Sequence, residues 1–489
     1  MRNLLYLLMC PLLFAQAPES DKAVDISKVE RKNKAPVSKE LIKVNLPKPV
    51  EVKLDNGVTV LILESHKLPF VSMQLLIQGA GPVDEPADKA GLAAATAAML
   101  NQGTASRTSR QIAEEIDLDG ASFRATSGFG NNQTEIAVSG LSQSMDKWVA
   151  LFADILLHPS FPEAELKNYQ QRALISLKQQ RAQPNFLANE QFSRAVFGAF
   201  PAAIVSASPK FLQAMTPAEL AKWHDERYAP QNSILGIAGD INPTATVAML
   251  KKALGGWKRT DLIEKLPPNP APIARKVIYV VNRPGSVQTN LVIGNIAIDR
   301  RSPDYPAMRV MNQVLGGTSA ARLFMKLREE KGYTYGAYST FTPMLFAGPW
   351  RAFSEVRTDV TEGSMAEFFS ELNKIRTEAA PAAELDEAKR SIVATFALSL
   401  EHPTDILQYA ITRARYGLPA NYWDAYPSTI EAVTAADVLR VAKKYIDPQT
   451  AQIVAVGDAA KIRKIMEKYG PVAVYDTDGK ESRTSDSGN

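Results

Sequence analysis

Residues 215–240 read MTPAELAKWHDERYAPQNSILGIAGD, and 218 residues later residues 433–458 read VTAADVLRVAKKYIDPQTAQIVAVGD. Each stretch opens on a threonine, Thr216 or Thr434, placed to cap a helix, where its hydroxyl can accept one of the amide N–H groups left open by the first turn. Each helix runs down to a proline-terminated stop, Arg227-Tyr228-Ala229-Pro230 or Lys444-Tyr445-Ile446-Asp447-Pro448. Proline has no N–H to continue a helical ladder, so a new element must begin there. That element is an apolar strand in both copies, closing in Gly239-Asp240 or Gly457-Asp458. One segment order, used twice, predicts a duplicated chain.

The correspondence extends outward. Ala164-Glu165-Leu166 opens a long helical pattern from Glu163 to Gln180, and Ala383-Glu384-Leu385 opens its counterpart. Each stops near a proline, Pro184 or Pro403, and each is followed by a second helical run that ends at Gly198-Ala199-Phe200-Pro201 or Tyr416-Gly417-Leu418-Pro419. Both halves also begin alike. Alternating strands run from Val58 to Leu63 and Val71 to Gln78 in the first, and from Lys276 to Val281 and Val287 to Ile293 in the second. A helix then ends in a Gly-Thr turn, Gly103-Thr104 or Gly317-Thr318. Thr108 and Gln111 have capping-box spacing for a further helix. Strands and helices mix without regular βαβ alternation. The expected fold is therefore α+β: two similar halves, each an antiparallel sheet with helices packed on one face. The boundaries fall at 47–262 and 276–474, joined by a proline-rich linker, 263–275, which includes Leu266 to Pro272.

With 489 residues, 45% of them apolar, the chain can build large cores, and its net charge of +4 shows no strongly basic surface, which argues against nucleic acid as a partner. Arg2, the apolar run Leu4 to Phe14, and Ala15-Gln16-Ala17 read as a secretory signal, residues 1–17. The run is short for a membrane span, though an uncleaved anchor is the competing reading, and Pro18 is unfavourable just after a cleavage site. A lipid-modified Cys10 would want a small residue before it, and Met9 stands there. Cys10 is the single cysteine and is lost with the signal, so disulfides and thiolate chemistry are excluded from the mature chain. No other stretch is apolar enough to span a membrane, and periplasmic secretion is expected. Residues 18–46 read as a flexible charged leader, and 475–489 as a disordered tail.

The first half opens with Gly79-Ala80-Gly81-Pro82-Val83-Asp84-Glu85-Pro86, then Gly91-Leu92-Ala93, Met99-Leu100 and Gly103-Thr104. These residues resemble the pitrilysin and mitochondrial-processing-peptidase family of zinc peptidases, the insulinase-like inverzincins. Members carry His-x-x-Glu-His between the Gly-Leu-Ala and the Met-Leu. Its two histidines bind zinc from one helical face, its glutamate activates water, and a glutamate on the following long helix completes the ligand set. Here that place reads Ala94-Ala95-Thr96-Ala97-Ala98. Ala94 and Ala98 stand at the histidine positions and Ala97 at the glutamate position, while alignment puts Leu177 at the third ligand, with Lys178 and Arg181 nearby to repel a cation. Alanine offers neither a lone pair for a metal nor a group to take a proton. Of the four histidines, His66, His158, His224 and His402, none pairs at ligand spacing, and His224, beside Asp225 and Glu226, reads as part of a solvated helix face. No cofactor is expected on this chain.

The second half reads Ala320-Ala321-Arg322-Leu323-Phe324-Met325-Lys326-Leu327-Arg328-Glu329-Glu330-Lys331-Gly332-Tyr333-Thr334-Tyr335-Gly336, close to the family's C-terminal signature. The resemblance assigns Arg328 and Tyr335 to contact with the substrate carbonyl, and both groups donate hydrogen bonds that suit developing negative charge. Without the resemblance, Arg328 could be a surface residue of a charged helix end, and Tyr335 a buried strand residue. The resemblance covers roughly residues 47–470. It implies a non-catalytic subunit of a heterodimeric zinc metalloendopeptidase, inactive alone. Arg328 and Tyr335 would act in trans on short or unfolded peptides beside a zinc-bearing homologue. The alternative is a peptidase-fold scaffold or peptide-binding protein with no proteolytic role, as in relatives that serve as structural subunits of a respiratory complex.

Overall fold

The computed structural model describes residues 42–262 and 268–482. The signal reading of residues 1–17, most of the leader, the first five residues of the linker (263–267) and residues 483–489 lie outside these described residues. Within them the duplication is plain. The first sheet contains β1 (Val50–Lys53), β2 (Thr59–Glu64), β3 (Phe70–Gln78), β4 (Ser122–Thr126), β5 (Gln133–Leu141) and β6 (Ser233–Gly239), in spatial order β1-β2-β6-β3-β5-β4. The second contains β7 (Ile278–Asn282), β8 (Gln288–Ile296), β9 (Thr334–Phe341), β10 (Pro349–Arg357), β11 (Gln452–Gly457) and β12 (Val472–Tyr475), in order β12-β7-β11-β8-β10-β9. Five positions correspond one to one. The sixth differs: β1 precedes its half and lies antiparallel to β2, whereas β12 follows its half and lies parallel to β7.

The sheets are mixed, where antiparallel ones were expected. β2 pairs with β6, and β7 with β11, in parallel. These pairs join strands about 170 residues apart in chain, and a crossover that long carries the helices between them. β6 and β11 are buried along their whole length, and their near-continuous apolar runs fit strands covered on both faces.

The cover on the second face is supplied by the other half. The Pro184–Phe197 helix places Leu187, Phe192 and Val196 on Val292, Val454 and Val456 of the second sheet. In return, the Pro403–Tyr416 helix places Leu407, Ala410 and Ile411 on Leu61, Leu76, Ile234 and Ala238 of the first. Each half's remaining helices cover its own opposite face, where Trp148 and Phe152 anchor the first core and Trp350 and Phe368 the second. One-face packing is thus incomplete as an expectation. Pro184 and Pro403, read from the sequence as stops, stand at the first positions of these exchanged helices, where a missing N–H costs nothing.

The ends need correction too. Residues 42–46 of the expected leader lie against the second half, with Val44 and Leu46 packed on its core and the Leu46 amide donating to Asp424 at 3.0 Å. Of the tail expected to be disordered, residues 475–482 are built into the second half. Tyr475 ends β12 and packs 6.0 Å from the Tyr279 ring, and the chain turns back through Gly479 so that the Ser482 amide reaches the Val474 carbonyl. Ring packing and this turn outweigh the polar composition.

Candidate functional site

The helix that would carry a metal motif is Leu92–Met99. It starts at Gly91, whose φ of 106° suits a residue without a side chain, and alanine's high helix propensity supports the rest. Ala97 is 1% exposed, while Ala94 and Ala98 are half-buried one turn apart. On the long helix Glu163–Arg181, Leu166, Tyr169, Ala173 and Leu177 form the inward stripe, so Leu177 is buried in the register where a third ligand was sought. Neither set of side chains fits zinc, and no cluster of three or more His, Cys, Asp or Glu among the described residues is arranged to hold a metal.

Glu85, quoted in the motif but given no role by the sequence, closes the helix start. Its two carboxylate oxygens accept from the amides of Gly91 at 2.9 Å and Ala93 at 2.6 Å. Burial pushes its carboxyl up to about 7 against the pull of these two amides. Burial likewise lifts neighbouring Asp84 to about 6, opposed by Arg227. Tyr169, facing them from the long helix, is pushed up to about 12 by burial and by the Glu85 charge. The first half therefore retains a buried acidic pocket around the helix start, built for backbone capping.

His224 corrects another expectation. It is 8% exposed, not solvated: one ring nitrogen meets the Leu156 carbonyl at 2.8 Å, and the ring packs between Phe161 and Tyr228. The other ring nitrogen lies 3.2 Å from the exposed Asp225 carboxylate, so the ring joins the core while its neighbour stays in solvent.

The second-half signature lies at the free edge of its sheet. After a single α-turn, Arg322–Phe324, the chain widens into a π-helical segment, Met325–Glu330, that carries Arg328. Such widenings are rare and recur at functional sites. The Arg328 guanidinium lies 4.8 Å from the Phe324 ring centroid and 3.6 Å from Glu329, and its side chain is about half exposed. Tyr335 is 90% exposed, which rules out a buried strand residue. Its position has a local cause. Ser354 pairs with Ala337 but Val356 pairs with Thr334, so Tyr335 and Gly336 together face Glu355 in a β-bulge. The Thr334 hydroxyl reaches the Glu355 carbonyl at 2.6 Å, the Gly336 amide donates to that hydroxyl at 3.1 Å, and the Ser354 hydroxyl donates to the Gly336 carbonyl at 2.9 Å. Bulges re-aim side chains and cluster near active sites. Spacing alone could not show this one, because a bulge depends on the partner strand.

Two profiles of one peptidase family tile most of the folded chain: "Insulinase (Peptidase family M16)" matches residues 59–210, and "Peptidase M16 inactive domain" matches residues 214–392. The chain belongs to peptidase family M16, the insulinase family. A crystal structure described as a peptidase M16 inactive domain from Pseudomonas fluorescens superposes with a TM-score of 0.78 at 27% identity, over 85% of this chain and 98% of that one. A Rickettsia felis relative named an uncharacterized zinc protease is 26% identical over 71% of this chain and 83% of its own length. A Helicobacter pylori relative named a non-peptidase homolog, YmxG, is 21% identical over 78% of this chain and 87% of its own. Within the M16 fold, this member carries Ala94, Ala97 and Ala98 on its Leu92–Met99 helix, and no helix among its described residues is long and apolar enough to cross a membrane.

Proposed function

We propose that this M16 member is the non-catalytic subunit of a heterodimeric zinc metallopeptidase, working beside a zinc-bearing family homologue on short or unfolded peptides. The observation that carries the reading is the asymmetry between repeats. The first half has Ala94, Ala97 and Ala98 in place of a metal site, while the second presents Tyr335 at 90% exposure on a bulge held by three hydroxyl contacts, with Arg328 exposed on the preceding π-turn. An exposed phenol and guanidinium can donate to a substrate carbonyl oxygen as charge develops on it, a contribution that oriented donors make without reorganising. The reading places the subunit in the periplasm, on the strength of the Arg2 to Ala17 signal pattern, and puts the zinc on the partner.

The test is to express the chain alone and together with a family member that carries His-x-x-Glu-His, then assay cleavage of an unstructured fluorogenic peptide. The mixture should be active and this chain alone, loaded with zinc, inactive. Arg328→Ala and Tyr335→Phe should each lower turnover about 100-fold or more while the complex still forms, the loss typical of one transition-state donor. Unchanged rates in both variants would favour a scaffold role, to which the non-peptidase name of the Helicobacter relative also points.

A further inference from the structure

A groove of about 460 Å³ runs beside the exchanged Pro184–Phe197 helix, floored by β8 and β10 and flanked at one end by the Tyr335 bulge. The volume suits a few residues of a peptide. Its lining mixes apolar groups such as Leu291 and Phe353 with the side-chain amides of Asn185, Asn189 and Gln288. Each amide carries both a donor and an acceptor, the complement of a peptide group.

Arg351 is the groove's single guanidinium. One of its nitrogens donates to Asn189 at 2.7 Å, and its charge lies 5.7 Å from the Phe353 ring. No carboxylate forms an ion pair with it among the described residues; Glu355, on the same face of β10, lines the groove four residues further on. Burial draws the Arg351 pKa below its usual value, as expected for a cation that has given up water without gaining a counter-ion. A half-buried guanidinium with most of its donors open is a ready partner for a carboxylate, which it can hold through two parallel N–H bonds.

We propose that this groove binds an extended peptide segment and that Arg351 holds a carboxylate on it. The proposal rests on the reading that this subunit handles peptides, but it concerns binding by this chain alone. The carboxylate could be a peptide C-terminus or an Asp or Glu side chain.

Four fluorescein-labelled hexapeptides with otherwise neutral side chains separate these sources: a free C-terminal acid, its amide, the amide carrying one Glu, and the amide carrying Gln there instead. Fluorescence anisotropy with the full chain and no partner should show tighter binding of the free acid than its amide, or of the Glu peptide than the Gln peptide. Arg351→Gln should remove that preference and weaken the preferred peptide roughly tenfold or more, and Arg351→Lys should restore only part of it, because an ammonium lacks the planar fork. The peptide comparison in the unaltered protein stands even if a variant misfolds. Equal binding of all four peptides, no binding of any, or an unchanged preference in a folded Arg351→Gln protein overturns the proposal. Because no partner is present, this result and the cleavage assay can fail independently.

Discussion

The Thr334 hydroxyl sits 2.6 Å from the Glu355 carbonyl, across the point where β9 and β10 lose register. It occupies the centre of the bulge, receiving the Gly336 amide at 3.1 Å and lying 3.0 Å from the Ser354 hydroxyl oxygen. Thr334→Val keeps the shape and removes all of these bonds. The loss should cost about 1–3 kcal/mol, the range for leaving buried polar groups unpaired, read as a lower urea midpoint. In the partnered cleavage assay the variant should lose kcat as Tyr335→Phe does, with KM little changed, and Thr334→Ser should recover most of it. A Thr334→Val complex with full kcat would mean that the bulge does not set the Tyr335 position.

Glu85 makes a pH prediction whose sign follows from burial. Its folded-state carboxyl, at about 7, lies above the ordinary value of 4.5, so the folded protein holds a proton that the unfolded chain has released. The contribution to stability is therefore complete below about pH 4.5 and is lost as pH rises through about 7. Asp84, at about 6, acts in the same direction. Asp304 acts elsewhere: burial opposes its ionisation, but Tyr445, Lys444 and Arg440 outweigh this and hold it at about 2, below the window. Glu85→Gln stays uncharged throughout. Its melting temperature relative to the unaltered protein should rise between pH 5 and pH 8; a difference independent of pH would sink the assignment.

The parts of the fold that local chemistry dictates were legible in the sequence. Thr108, Thr216 and Thr434 each form the capping box or N-cap expected, with Gln111, Glu219 and Asp437 reaching back, because a cap is decided within four residues. The strands that open each half, the long helix from Glu163 and the repeat itself were legible for the same reason. The exchange of the Pro184–Phe197 and Pro403–Tyr416 helices was not, since amphipathic helices reveal that they pack but not on which sheet. His224 shows the limit at one residue: Asp225 and Glu226 suggested solvent, yet the partner that buries the ring, Leu156, lies 68 positions away. At the candidate site, Ala94, Ala97, Ala98, Arg328 and Tyr335 were named from sequence, whereas Glu85 as a helix cap and Arg351 in its groove depend on tertiary placement.

The helix exchange predicts a sensitive glycine. A Cβ at Gly236 in β6 would stand 2.6 Å from Ile411 and 2.9 Å from Leu407, the side chains through which the second half covers the first sheet. Gly236→Ala should be tolerated by small movements of these flexible ends. Gly236→Val overfills the interface and should destabilise by roughly 1–3 kcal/mol. Limited proteolysis should then cut first around the Pro403–Tyr416 helix. Equal stability of the alanine and valine proteins would show that the two halves are not tightly docked there.

Rebuilding the metal motif tests how far the first half has moved from a metal site. Ala94 and Ala98 are half-buried four residues apart, so Ala94→His with Ala98→His places two imidazoles on one helical face with room for both. Ala97, at 1% exposure, has no such room. A glutamate there would put an unpaired charge into a packed core, a change that costs several kcal/mol. The double histidine variant should fold, with a melting temperature within a few degrees of the unaltered protein, and Ala97→Glu alone should be strongly destabilised. Two histidines without a third protein ligand hold zinc weakly, so the double variant should lose its metal on gel filtration, as measured by elemental analysis of the protein peak. Adding Leu177→Glu should raise the retained zinc toward one per chain if Leu177 faces the pair. Stoichiometric zinc in the double variant without that change would reveal another ligand within reach and refute the register assigned to the long helix.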